Sequence, residues 1–225
     1  MLPPETELIS LDLWLTLIKS HPGFKPLRNR LLRDCLAPRM AMDAFDQTVR
    51  SEDQKADRRA QATGDDAGFS ARVTALANAI GVKMPADADL NQLYQQQGDL
   101  FLRYPPQLID AETVPLLLTL KARGYKLALV SNTGYIHGDV MRRALADMDL
   151  AACFDWMVFS NEIGAAKPNP IIFQALMSAS SIPAARMTHI GDNPVADVQG
   201  ARKVGMHAIQ ITAELRLRDI LGNAE

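Results

Sequence analysis

Four short stretches of this sequence carry side chains able to do chemistry. Asp12-Leu13-Trp14-Leu15-Thr16 places a carboxylate at the end of an apolar run, where it can act as a nucleophile that forms a covalent intermediate. Taken alone, an Asp at a strand end is more often a turn or cap residue. Ser131-Asn132-Thr133-Gly134 offers a hydroxyl, an amide and backbone N–H groups at a helix entrance, which together suit an anion or an ordinary N-cap. Lys167 lies in Gly164-Ala165-Ala166-Lys167-Pro168-Asn169-Pro170. Asn169 can cap a helix whose first position is Pro170, so Lys167 is held just outside a strand–helix junction, placed to neutralise a phosphate and an adjacent carboxylate. Gly191-Asp192-Asn193-Pro194-Val195-Ala196-Asp197 puts two carboxylates in a loop and the first turn of a helix. Such hard oxygen ligands suit magnesium, although capping and a helix-dipole partnership would use the same residues. Each stretch has a purely structural reading; all four, in this order and on one edge of a sheet, read as a single site.

The elements that must position them follow from the hydrophobic pattern. Leu8–Leu13, Tyr125–Val130, Trp156–Phe159, Met187–Ile190 and His207–Ile211 are short apolar runs that read as strands. Between the later ones lie helical patterns over Glu112–Arg123, Ile136–Met148, Pro170–Ser180 and Val195–Val204. Strand alternating with helix predicts an α/β fold with a parallel sheet covered on both faces. The helix over Glu112–Arg123 carries Leu116, Leu117, Leu118 and Leu120, apolar most of the way round, and is expected to be well buried. Ligands of such open sheets bind beyond the carboxyl ends of the strands, which is where the four stretches fall. Residues 18–105 break the alternation and read as helices only: Phe24, Leu27, Leu31 and Leu32 share one helical face, Val73, Leu76, Ala77 and Ile80 a second, and Leu93, Leu100 and Phe101 a third. Ser51–Asp66 is charged and polar and reads as an exposed helix end and loop, with Tyr104-Pro105-Pro106 as a return hinge. The expected organisation is a core of 1–17 and 106–225 with a helical unit of 18–105 inserted after the first strand.

With 225 residues and 48% hydrophobic side chains, the chain is long enough for one large domain or a core plus a smaller insert at ~150 residues per domain. A net charge of −2 gives no sign of a nucleic-acid partner. Cys35 and Cys153 are far apart, with neither disulfide-framework nor metal-ligand spacing, which fits a reducing cytoplasm. The first ten residues lack the pattern of a signal peptide, and no apolar run is long enough to span a bilayer.

The pattern resembles the haloacid dehalogenase-like hydrolase superfamily, in the branch with a helical cap inserted after the first motif. The resemblance covers Leu8–Thr16 and roughly 110–211, most specifically Ser160-Asn161-Glu162-Ile163-Gly164 leading to Lys167-Pro168, and Gly191-Asp192 leading through Asp197 to Gly200-Ala201 and Gly205-Met206. It implies a three-layer, Rossmann-like sandwich whose five parallel strands, numbered along the chain, lie in the order five, four, one, two, three. It implies that Asp12 attacks phosphorus to form an aspartyl-phosphate. Ser131, Asn132 and Thr16 would bind the transferring group, and Lys167 would hold it against Asp12. Asp12, Asp192 and the Trp14 carbonyl would bind Mg2+, with Asp197 in support. The cap would close over a small phosphorylated metabolite and exclude water.

The sequence departs from the resemblance at Trp14. Phosphatases of this family carry there a second Asp that serves as general acid and base, and an indole has no titratable proton near neutral pH. Leu15 likewise replaces the usual Gly. Three alternatives follow. Dehalogenases of the family carry an aromatic Tyr at this position and need no metal, but they lack the Asp corresponding to Asp192. Phosphonate hydrolases use a cap lysine as a Schiff base, for which Lys19 and Lys25 are candidates. A phospho-ligand-binding protein that has lost turnover is the third. His21 and His137 lie near loops at the functional edge and are candidate replacements for the acid; His189 reads as a satisfied core histidine. Arg28, Arg30 and Arg33 read as a solvated face from which one Arg could turn inward toward an acidic substrate, and Met40, Met42 and Phe45 as the cap's own core.

Overall fold

The computed structural model describes residues 2–222. Five parallel strands form the central sheet: β1 (Leu8–Leu11), β4 (Lys126–Ser131), β5 (Trp156–Phe159), β6 (Met187–Gly191) and β7 (His207–Gln210), in the order β5-β4-β1-β6-β7. This is the order that the resemblance implies, read from the opposite edge. β1 is central and buried throughout, as expected of a strand covered on both faces. Its side chains alternate: Ile9 and Leu11 join Leu117, Leu120, Met141 and Leu145 on one face, whereas Leu8 packs with Ile172, Phe173, Leu176 and Met187 on the other. The first face is covered by α5 (Thr113–Ala122), α6 (Gly138–Asp147) and α10 (Leu217–Leu221), the second by α8 (Pro170–Ser180) and α9 (Gly200–Lys203). α7 (Ser160–Ile163) is a single turn after β5. Leu11 is level with Leu129 of β4 and Ile190 of β6, so the residues that follow all three strands emerge on one edge.

The inserted helices are α1 (Phe24–Leu36), α2 (Met42–Thr63), α3 (Phe69–Ala79) and α4 (Asp87–Arg103). Their shared core holds Leu32, Phe45, Val49, Val73, Leu76 and Leu93, together with Tyr135 from the loop after β4. The chain enters and leaves this segment through an antiparallel pair, β2 (Ile18–Lys19) and β3 (Gln107–Leu108).

Three expectations change. The charged stretch after Ser51 stays helical to Thr63, because nothing in it breaks a helix before Gly64, which takes a left-handed conformation (φ 72°) and ends it. α5 is buried on one side only: Leu117 and Leu120 are fully buried, but Leu118 is 49% exposed. The helix expected over Val195–Val204 is a π-turn, Pro194–Gln199, followed by α9. The Asn193 carbonyl there accepts from the N–H groups of both Asp197 and Val198. α10 was not anticipated; Leu217, Ile220 and Leu221 close the bottom of the first face. Among the described residues, no helix is long and apolar enough to cross a membrane.

Candidate active site

At the carboxyl edge of the sheet, Lys167 is 1% exposed. Its ammonium lies 2.6 Å from Asp12 Oδ1 and 2.7 Å from Asp197 Oδ1, and its third hydrogen bond goes to the Val130 carbonyl at 2.7 Å. All three donors of the ammonium therefore have a partner. Burial pushes the Lys167 amine down, but Asp12 and Asp197 outweigh it and hold its pKa above the ordinary value. The converse holds for Asp197: burial opposes its charge, yet Lys167 and His189 keep the carboxyl well below the usual carboxylate range. Burial raises Asp12, Lys167 pulls it back, and Asp197 and Asp192 add to the rise, leaving it above its ordinary value. Asp192 is raised by burial and by Asp197.

Asp197 is seated by its surroundings. Its Oδ2 accepts from the Asn193 N–H at 2.9 Å and its Oδ1 lies 3.3 Å from His189 Nε2. Burial lowers the pKa of His189, so the ring is neutral, and since a carboxylate only accepts, Nε2 carries the proton. His189 Nδ1 then accepts from the Ser10 hydroxyl at 2.5 Å. This core histidine is satisfied at both nitrogens, and it orients a site carboxylate as well. Gly191 makes room for that carboxylate: a Cβ there would fall 2.3 Å from the Asp197 carboxyl carbon.

Ligand atoms of Asp12, Asp192 and Asp197 lie within 4.8 Å of one another. Three carboxylates against one ammonium leave the pocket short of positive charge, and the donors are hard oxygens. Both properties fit a small divalent cation such as Mg2+.

Ser131 ends β4 and Thr16 lies in the loop after β1; both are buried. Thr16 Oγ1 is buried with no hydrogen-bond partner, a donor that finds none among the described residues. Asn132 also makes contacts within the protein. Its side-chain amide clamps the Lys167 backbone, accepting from the N–H at 2.7 Å and donating to the carbonyl at 3.0 Å. The side chain thus ties two loops together and keeps a second amide hydrogen beyond these two bonds. Asn169 caps α8 by accepting from the Ile171 N–H, with Pro170 in the first turn. Trp14 packs edge-on against Phe101 of α4, with ring centroids 6.3 Å apart.

Each candidate replacement for the acid has one ring nitrogen engaged. His137 Nε2 accepts from the Phe69 N–H at the start of α3, and His21 Nδ1 accepts from the Gly23 N–H while its ring meets Tyr104. Of the three arginines on α1, Arg28 turns inward and lies 4.3 Å over the Tyr135 ring. Sequence reasoning missed the orienting His189 and a chain of polar contacts from Asp66 through Ser160 to Thr133; the latter joins residues far apart along the chain and leaves no local signal.

The parallel sheet thus carries a carboxylate after its first strand and a Lys–Asp cluster on the same edge. The family model of haloacid dehalogenase-like hydrolases matches residues 6–205, and the chain belongs to that family. It is 33% identical over 117 residues to a phosphoserine phosphatase of Thermus thermophilus, a match covering 52% of this chain and 45% of that protein. The chain thus spans under half of that relative's length. The fold superposes on a HAD phosphatase from Thermococcus onnurineus with a TM-score of 0.69 at 22% identity, covering 96% of this chain and 98% of that one. A magnesium-bound HAD-hydrolase from Bacillus subtilis gives a TM-score of 0.66 at 21% identity, covering 92% and 86%.

Proposed function

We propose that this protein is a Mg2+-dependent phosphatase acting on a small phosphorylated metabolite through a covalent intermediate on Asp12. The observation that carries the reading is the buried ammonium of Lys167 bridging Asp12 and Asp197, with Asp192 completing an acidic group. A nucleophilic carboxylate is there held next to fixed positive charge. Asp12, Asp192 and the Trp14 carbonyl would hold Mg2+, with Asp197 in support; when bound, the ion supplies charge stabilisation for the phosphoryl oxygens. In the first step an Asp12 oxygen bonds to phosphorus and the bond to the leaving oxygen breaks. Lys167, Ser131, Thr16 and the Asn132 N–H take up charge on the transferring group, the main source of catalysis in such sites. Water then attacks phosphorus, releasing phosphate and regenerating Asp12. Segment 18–105 is the cap in this reading.

The departing oxygen needs a proton when it leaves a poor leaving group, and Trp14 cannot give one. The reading therefore favours substrates with good leaving groups, since general acid–base help contributes ~10²–10⁴-fold. The retained Asp192 speaks against metal-free dehalogenation, and Lys19 and Lys25 are both exposed, which gives phosphonate cleavage no buried amine. Trp14 favours one second reading, a phospho-ligand-binding protein without turnover. The test is hydrolysis of p-nitrophenyl phosphate with and without Mg2+, in wild type and Asp12→Asn. Turnover that needs Mg2+ and is lost in the variant supports the phosphatase; binding of phosphate with Mg2+ but no turnover supports the second reading.

A further inference from the structure

The loop between α2 and α3 is bonded to both halves of the anion-binding apparatus. On one side, the Gly64 carbonyl accepts from the Ala166 N–H at 2.8 Å, and Asp65 forms an antiparallel bridge with Ala165. These residues immediately precede Lys167. Gly64 is left-handed and pressed against Asn169, where a Cβ would fall 2.6 Å from the Asn169 Cβ. On the other side, Asp66 Oδ1 accepts from Ser160 Oγ at 2.6 Å. Ser160 is fully buried, and its Oγ accepts from the Thr133 N–H at 2.8 Å and lies 3.0 Å from Thr133 Oγ1.

The proton directions in this chain are forced. A carboxylate only accepts, so the Ser160 proton points to Asp66. The Ser160 oxygen is then left to accept from both the Thr133 N–H and the Thr133 hydroxyl. Without Asp66 that hydroxyl is free to rotate, and the Thr133 amide loses a fixed acceptor. Thr133 directly follows Ser131 and Asn132.

We propose that Asp66 is a positioning residue: acting through Ser160, it fixes the turn that presents Ser131 and Asn132 to the phosphoryl group, so that this turn is set only when the helical segment is docked. The proposal rests on the phosphatase reading for its effect on rate, but its structural half stands apart from it. A group held about 1 Å out of place costs on the order of 10²-fold in rate, and a loosened turn falls short of that full displacement.

The experiment compares wild type, Asp66→Ala, Asp66→Asn, Ser160→Ala and the double variant Asp66→Ala/Ser160→Ala. It measures kcat/KM on p-nitrophenyl phosphate with Mg2+ and hydrogen exchange of the Thr133 amide by NMR. The Gly64–Ala166 backbone bond does not involve the altered side chains, so it is available to hold the loop in place in every variant. The expected result is a loss of about 10-fold in kcat/KM for Asp66→Ala and Ser160→Ala alike, with the double variant no worse than either, as residues acting in one network should show. Asp66→Asn keeps an oxygen acceptor and is expected to restore most of the rate. Thr133 exchange should quicken in both Ala variants and not in Asp66→Asn. Additive losses in the double variant, an Asp66→Asn as impaired as Asp66→Ala, or unchanged Thr133 exchange would each overturn the proposal. If wild type shows no turnover, the phosphatase reading fails, while the Thr133 exchange still decides whether Asp66 fixes the turn.

Discussion

Lys167 is the residue on which the site's electrostatics turn. Its charge is buried, and it is the only cation in contact with Asp12 and Asp197 among the described residues. Removing one partner of such a group typically costs ~3–5 kcal/mol, because the charges left behind have no compensation. Lys167→Met is therefore expected to lower stability by about that amount in urea unfolding and to abolish turnover. Added Mg2+ should recover part of the stability, since it supplies charge to the same carboxylates; no recovery would argue against a cation site there. Trp14 poses the opposite question, what an absent group costs. Trp14→Asp restores a carboxyl where the phosphatases of the family carry one. It is expected to raise the rate on alkyl phosphates relative to p-nitrophenyl phosphate by about 10-fold or more, with a lower Tm from the lost contact with Phe101. An unchanged ratio of the two substrates would show that the acid's role is filled elsewhere.

At the scale of elements, the five strands and their parallel sheet were legible in the sequence because short apolar runs alternate with amphipathic stretches, while the strand order came from the family resemblance. The reading failed where tertiary contacts decide. Leu116, Leu117, Leu118 and Leu120 suggest a helix well buried against the sheet; α5 buries Leu117 and Leu120 there but leaves Leu118 in solvent. The prediction is a contrast: Leu118→Lys should shift stability by no more than about 0.5 kcal/mol, whereas Leu120→Ala should cost ~2–5 kcal/mol, both by denaturant unfolding. The π-turn at Pro194–Gln199 was hidden for a similar reason. Its pattern is helical, but the widened turn is fixed by the Asn193 carbonyl and by the seat of Asp197 against Gly191, contacts that no local rule contains. Such turns are frequent at functional sites.

For the whole molecule, the four chemical stretches were legible as one site because each follows a strand of the same sheet and the strand ends are level. The division of labour within the site was less so: Asn132 turned out to be a clamp on Lys167, and His189 a holder of Asp197, because both roles depend on residues brought together from distant parts of the chain. A prediction belongs at this scale: Mg2+ with beryllium fluoride, which mimics the phosphoryl group on a carboxylate, should raise the Tm of the wild type. Ligand at a hundred times its Kd adds ~2.7 kcal/mol. The increment should vanish in Asp12→Asn, and an equal shift in both proteins would place binding away from Asp12. Tyr135 carries a different consequence. It is encoded with the α/β portion of the chain, yet its ring fills the core of the inserted helices, with Arg28 over its face and Gln97 donating to its carbonyl. The inserted segment is thus not a self-contained cassette. A chimera that moves residues 18–105 of this chain onto another scaffold leaves behind the ring its interior is packed around, so such a transfer must cut along the packing and carry Tyr135 with the helices.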